Sequence, residues 1–145
     1  MKTPDFKFVP HEMKTSIIKV TSYKDKNFRG LFYNPYFKTE KVFENLTQFF
    51  LLTESLHDKL GFPERSMEKR LVRSNDSEDY KFKDAGPADL RSEVIATFKI
   101  SVIFRQNASW QGNLGWVERG VETNFRSVLE LVLLFDNILG YSDSP

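Results

Sequence analysis

Two stretches decide the fold of this chain: SIIKVTSYKDKNFRGLFYNPYFKTEKVFENLTQFFLLTESL (residues 16–56) and FKISVIFRQNASWQGNLGWVERGVETNFRSVLELVLLFDNI (residues 98–138). They align without a gap at a constant offset of 82, with 7 identities in 41 positions. Several replaced positions keep their physical class, among them Glu54/Asp136. A repeated unit indicates an architecture without indicating a chemistry. The identical pairs are Ile18/Ile100, Val20/Val102, Gly30/Gly112, Glu40/Glu122, Phe43/Phe125, Leu51/Leu133 and Leu52/Leu134.

Each window reads as three strands followed by a helix. In the second window apolar side chains at positions 98, 100, 102 and 104 alternate with polar ones, which is the period of a strand with one face on the core. Pro35 lies inside the second strand of the first window and indicates an edge or a bulge there. The expected strands are 16–23, 28–37 and 41–43 in the first window, and 98–105, 110–118 and 121–123 in the second.

Capping signals mark where the two helices begin. Ser127 with Glu130 three residues later has the spacing of a capping box. Asn45 and Gln48 stand at the equivalent positions of the first window and can make the same reciprocal hydrogen bonds. Glycines at positions 61 and 140 each follow an apolar residue where a C-terminal cap is expected.

These elements predict an α+β protein made of two tandem, diverged β-β-β-α units, each an antiparallel meander plus a helix, packed as one pseudo-symmetric domain over residues 1–145. The first unit spans 16–61 and the second 98–140. The connection 62–97 is expected to hold a short helix around 66–72 and a mobile loop around 73–84, since a 36-residue connection without structure is uncommon. The units can join edges into one six-stranded sheet or pack face to face.

The composition excludes several classes of protein. The chain has 145 residues, enough for one domain with its own core, and no cysteine, which rules out disulfides and thiolate metal sites. No stretch approaches the length of a membrane span, and the first residues lack the apolar core of a signal peptide, so we expect a cytoplasmic protein without membrane contact. The formal net charge of +1 is not that of a dedicated nucleic-acid-binding domain.

Catalytic and metal-binding patterns are missing from the sequence. The two histidines, His11 and His57, are 46 residues apart and do not match the spacing of a zinc site. We expect His57 to be a surface residue at the end of the first helix, where the helix dipole favours its charge. No nucleophile elbow, phosphate loop or dinucleotide glycine motif occurs. We therefore expect no enzyme activity, catalytic residue, metal or cofactor; a small-molecule-binding or catalytic domain of unrecognised type is kept as the last alternative.

The favoured hypothesis is a small binding or adaptor protein that acts through contact with an unidentified protein partner. Aromatic residues are frequent anchors of interfaces, and this chain has 14 Phe, 5 Tyr and 2 Trp. The second helix also carries leucines beyond its core stripe, which predicts cover by another element or a homodimer through this C-terminal helix. The candidate interface residues are Phe28, Tyr33, Tyr36, Trp110, Trp116, Leu129 and Leu133.

The first alternative function is nucleic-acid binding through the first hairpin. A meander followed by a helix resembles the DNA-reading modules of the AP2 type, and that resemblance implies that the sheet lies in the major groove. Basic side chains would then contact phosphates while a few side chains read bases. The candidate nucleic-acid contacts are Lys19, Lys24, Lys26 and Arg29.

Overall fold

The computed structural model describes residues 10–63, 82–106 and 109–142. Short 3-10 turns connect several of its helices and strands. The elements are, in chain order, β1 (Ser16–Ser22), β2 (Arg29–Tyr33), β3 (Lys41–Phe43), α1 (Leu46–Leu60), α2 (Pro87–Leu90), β4 (Ala96–Gln106), β5 (Ser109–Trp116), β6 (Val121–Phe125) and α3 (Val128–Ser142).

The six strands of the described residues form one antiparallel sheet in the order β3-β2-β1-β4-β5-β6. Its central pair is β1 with β4, with Ile18 opposite Phe98 and Val20 opposite Ala96. The α+β class is therefore confirmed. Of the two arrangements that the sequence left open, the strands share one sheet instead of packing face to face.

The second strand is shorter than expected because the chain turns before Pro35. β2 ends at Tyr33, and the buried amide of Asn34 then organises the turn. Its Nδ2 donates to the carbonyl of Met13 at 3.1 Å, and its Oδ1 accepts from the N–H of Tyr36 at 2.9 Å. The prediction of a strand over 28–37 was wrong, since an Asn side chain competes with the sheet for backbone partners and proline supplies no donor.

Both helix starts are confirmed. The N–H of Gln48 donates to Oδ1 of Asn45 at 2.8 Å, and the N–H of Glu44 donates back to Oε1 of Gln48 at 2.8 Å. In α3 the N–H of Glu130 donates to the hydroxyl of Ser127 at 3.1 Å, and Oε1 of Glu130 accepts from the N–H of residue 126 at 2.7 Å. The reciprocal bonds satisfy backbone donors that a helix start leaves free.

The two glycines expected to end the helices behave differently. Gly61 caps α1 in the left-handed conformation, with φ of 71°, which glycine adopts without a steric cost. Gly140 does not cap α3, because the helix continues to Ser142. Here the last turn lies against Lys26, whose ammonium stands 3.8 Å from the position that a Cβ of Gly140 would occupy.

The core lies between one face of the sheet and the two long helices. Strand residues of even number, such as Ile18 and Phe98, alternate toward this face and are fully buried. Aromatic rings fill its centre: Phe28 lies 5.0 Å from Phe43 and 4.7 Å from Phe135 between ring centroids. The buried helix residues include Phe49, Leu52, Leu56, Leu131, Phe135 and Leu139.

The connection between the two meanders runs along the outer edge of β3. The N–H of Val42 donates to the carbonyl of Lys83 at 2.8 Å, and the N–H of Ala85 donates to the carbonyl of Glu40 at 2.9 Å. The helix expected over 66–72 lies outside the described residues, as does most of the loop expected over 73–84.

Two glycines allow the hairpins to form. A Cβ added to Gly30 would stand 2.1 Å from the carbonyl oxygen of Lys19, and one added to Gly112 would stand 1.9 Å from that of Ser101. Neither contact is tolerated, and the obstacle in each case is backbone. Each hairpin therefore requires glycine at this point.

We expect Gly112→Ala to lower the free energy of unfolding by about 3 kcal/mol, because the sheet backbone must shift to admit the methyl group. Urea unfolding followed by circular dichroism measures this. The matched control is Gly115→Ala on the same strand, where the nearest atom to an added Cβ is 3.6 Å away. Equal losses in the two variants would contradict the steric explanation.

Candidate interaction surface

The outward face of α3 presents the main exposed apolar surface of this helix. Leu129 and Leu133 are 66% and 56% exposed. They lie one turn apart on the side opposite the core stripe of Leu131, Phe135 and Leu139, because side chains at i and i+4 share a helix face. On α1 the equivalent position is Leu51, which is 43% exposed. The structure thus leaves both leucines predicted for the interface available to a partner.

The predicted aromatic contacts divide into surface and core residues. Tyr33 and Tyr36 are 36% and 38% exposed. Trp116 is half-buried. Phe28 and Trp110 are 1% and 3% exposed, because both face the helices, and their rings belong to the aromatic core. These two are therefore not part of the surface that the described residues present.

Half of the cations predicted to contact nucleic acid are engaged within the chain. The ammonium of Lys19 lies 3.4 Å from a carboxylate oxygen of Glu40, and that of Lys26 lies 2.8 Å from one of Asp136. These pairs are partly exposed and compete with phosphate for the two lysines. Lys24, Lys26 and Arg29 are all exposed.

Asp136 ties α3 to the hairpin between β1 and β2. Its Oδ1 accepts from the hydroxyl of Tyr23 at 2.7 Å and from the ammonium of Lys26 at 2.8 Å. The hydrogen bond from Lys26, together with that from Tyr23, lowers the pKa of Asp136. Burial and the adjacent carboxylate raise the pKa of Tyr23 to about 12. The tyrosine therefore stays a hydrogen-bond donor throughout the neutral range.

A buried arginine makes the corresponding connection between α1 and the hairpin of β4 and β5. The side chain of Arg105 is 4% exposed, and its Nη1 lies 3.0 Å from Glu54 and 2.9 Å from Asp58. Its Nε donates to the carbonyl of Pro63 at 2.7 Å. The indole N–H of Trp110 donates to the other oxygen of Glu54. The guanidinium thus joins β4 to α1 and to the residue that follows this helix, which lie 42 to 51 residues earlier in the chain.

Sequence reasoning did not identify either of these carboxylate contacts. The available signal was the pair Glu54/Asp136, which keeps its acidic class at the offset of 82. An acidic residue at the same position of both helices indicates that each helix makes an equivalent carboxylate contact. The partners of these carboxylates were not predictable from the repeat, because Tyr23 and Arg105, which occupy equivalent positions, differ in chemistry.

The prediction that His57 lies on the surface was wrong. Its side chain is 2% exposed, and Nδ1 lies 2.6 Å from the carbonyl oxygen of Phe62. Burial lowers the pKa of His57 to about 4, and the nearby guanidinium of Arg105 acts in the same direction. The residue is therefore neutral at pH 7 and is a buried member of the last turn of α1.

The chemistry that the described residues offer is that of binding. Among them no cluster of three or more His, Cys, Asp or Glu side chains could hold a metal ion. An open depression of about 360 Å³ lies beside β2 and α2. Its lining combines polar groups with apolar residues of β2 and β3, among them Thr21, Arg29, Leu31, Val42, Asp89 and Glu93.

Comparison of this chain with protein-family models, with curated proteins and with solved structures gave no match. No helix within residues 10–63, 82–106 and 109–142 is long and apolar enough to cross a membrane.

Stability is expected to fall as the pH drops from 6.5 to 5 because of His57. The pKa of this residue in the folded state is about 4, below its ordinary value. Between pH 6.5 and 5, His57 therefore becomes protonated in the unfolded chain while it stays neutral in the folded chain, which favours unfolding. The expected slope is up to about 1.4 kcal/mol per pH unit. Urea unfolding at several pH values measures it, and His57→Gln should flatten the slope; an unchanged slope would contradict the assignment.

Replacing Arg105 with methionine is expected to lower the free energy of unfolding by about 3 kcal/mol, because the change removes the buried guanidinium that the Pro63 carbonyl and two partly exposed carboxylates share. The control is Lys26→Met, which removes a pair whose side chains are 67% and 41% exposed. Exposed pairs contribute little, so this variant should unfold near the wild-type midpoint. Similar losses in both variants would show that the guanidinium has no special role.

Proposed function

We propose that this chain is a small, non-enzymatic binding or adaptor protein that acts through protein–protein contact. The contact surface is the outward face of α3. The observation that carries the proposal is the exposure of Leu129 and Leu133, 66% and 56%, on a helix whose opposite face is anchored in the core. Exposed leucines one turn apart on a rigid helix suit a partner with an apolar groove.

The energetics support contact at this surface. Burying the exposed part of each leucine contributes roughly 1–2 kcal/mol, and two neighbouring leucines supply the apolar centre that interfaces require. The helix is held at its N-terminus by the capping box at Ser127 and near its middle by the contacts of Asp136. Little conformational entropy is therefore lost when a partner binds. Tyr33, Tyr36 and Trp116 are proposed as secondary contacts.

We also propose that the two halves of the chain are diverged copies of one β-β-β-α unit, packed with approximate two-fold symmetry. Three features support it. Helices α1 and α3 begin and end at positions 82 apart. The irregularities of β1 and β4 fall just after Val20 and Val102. The pairs Gly30–Phe43 and Gly112–Phe125 occupy the same register in β2–β3 and β5–β6.

We expect the double variant Leu129→Ser/Leu133→Ser to lose its protein partner. Tagged wild-type chain is used to isolate partners from the native host, and each candidate is then purified and titrated by calorimetry. The double variant should bind at least about tenfold more weakly, since each serine removes roughly 1–2 kcal/mol of apolar contact. Circular dichroism checks that it remains folded.

The matched control is Leu51→Ser, the equivalent exposed leucine of α1, which should bind within about threefold of wild type. Equal weakening by Leu51→Ser, or full binding by the double variant, would show that α3 is not the contact surface.

An anisotropy titration with DNA and RNA at low salt tests the alternative function through Lys24 and Arg29. Saturable binding that Lys24→Ala/Arg29→Ala abolishes would favour that alternative.

A further inference from the structure

The two edge strands of the sheet, β3 and β6, differ in what lies beside them. The segment paired with β3 shows which backbone hydrogen bonds an additional strand can form at such an edge. Along β3 a short segment pairs with the strand around an antiparallel bridge between Lys41 and Asp84. The N–H of Val42 donates to that segment, and the carbonyl of Glu40 accepts from it, at 2.8 and 2.9 Å. These hydrogen bonds show that the N–H of Val42 and the carbonyl of Glu40 point outward from this edge of the sheet.

The outer strand β6 has the same register. Counted from the pairs Gly30–Phe43 and Gly112–Phe125, Asn124 corresponds to position 42 and Glu122 to position 40. Because outward and inward groups alternate along an antiparallel strand, the N–H of Asn124 and the carbonyl of Glu122 point away from β5. Within residues 10–63, 82–106 and 109–142, β6 pairs with β5 alone.

We propose that a second copy of this chain pairs with β6 through its own β6, antiparallel, about a two-fold axis at Thr123. The N–H of Asn124 then donates to the carbonyl of Glu122 of the other copy, and the symmetry repeats this bond in the opposite direction. The pattern is the one seen around Lys41, with Thr123 of each copy in place of Lys41 and Asp84. The result is one continuous twelve-stranded sheet.

The side chains of β6 fit this self-pairing. Thr123 faces Thr123, a favourable cross-strand pair, and Glu122 faces Asn124, so no like charges lie directly opposite each other. Edge strands are normally protected by charged side chains, above all lysine, by proline or by a bulge. β6 contains no lysine or proline and has Glu122 as its one charged side chain, and its pairing with β5 is regular over Val121–Phe125. Residues 121–124 are all exposed.

The second copy is favoured over a strand of another protein by the symmetry of the pattern. The outward backbone groups of Glu122 and Asn124 lie equally spaced on either side of Thr123. When the strand meets itself, Glu122 of each copy therefore faces Asn124 of the other, and the two residues exchange their backbone hydrogen bonds. The covered edge uses a different chemistry, since Lys41 holds the carboxylate of Asp84 at 2.6 Å. A five-residue strand makes a small interface of the weak class, so we expect a dissociation constant on the order of 100 µM.

Cysteine crosslinking tests the proposal directly, since the chain has no cysteine of its own. In the proposed dimer the two Cα atoms of residue 123 are about 4.5 Å apart, within the range of a disulfide. Thr123→Cys should therefore form a disulfide dimer under mild oxidation at 100 µM, at least tenfold faster than Val121→Cys. The control residue lies on the same exposed strand, but its two copies would be about 14 Å apart.

Equal rates for Thr123→Cys and Val121→Cys would overturn the proposal, as would fast crosslinking of Leu129→Cys alone, which would place the second copy on α3. Sedimentation velocity gives a second test without oxidation. Thr123→Lys and Thr123→Glu should each be monomeric, while their mixture should recover dimers. A mixture that stays monomeric while wild type dimerises would overturn the pairing at Thr123.

The inference concerns β6 and is independent of the contact proposed for α3. If Thr123→Lys abolishes dimers but keeps the partner captured through α3, both proposals stand. If the Leu129→Ser/Leu133→Ser variant keeps its partner while Thr123→Cys crosslinks, the proposed function fails and the dimer remains.

Discussion

The antiparallel pairing of β1 with β4 is the constraint on which the rest of the structure depends. A three-stranded meander with one helix is a marginal core, and this pairing joins two of them into one sheet. It sets Ile18 opposite Phe98, so the apolar sides of both meanders share one face. Both long helices must then cover that face, and their aromatic side chains meet above the central strands.

Each long helix stabilises the joined sheet by contacting the meander of the other half of the chain. α1 follows β3, yet its carboxylates Glu54 and Asp58 hold Arg105 of β4. α3 follows β6, yet Asp136 holds Tyr23 and Lys26 beside β1. Neither half can therefore separate without losing ionic contacts as well as strand pairing. The first contact is buried at its guanidinium and the second is largely exposed, so the two are expected to differ in energy.

Sequence patterns were sufficient where the decisive interaction is local. The capping boxes at Asn45 and Ser127 and the glycine cap at Gly61 need only a few adjacent residues, and the structure has all three. They were insufficient where a distant partner decides. His57 reads as a surface residue at a helix end, but the chain after α1 folds back over it. Arg105 reads as the polar member of an alternating strand, but an irregularity after Val102 turns it toward the helices.

The remaining asymmetry lies at the sheet edges, and it follows from what the connection covers. Residues 83–85 run along β3, and Lys41 attracts Asp84 to that edge. At the corresponding point of β6 the residue is Thr123, which offers no charge to attract such a segment. Among the described residues the architecture thus covers the β3 edge with its own chain, while the β6 edge is the one proposed to pair between molecules. The difference between Lys41 and Thr123 is what separates the two edges chemically, since only the lysine attracts an acidic segment.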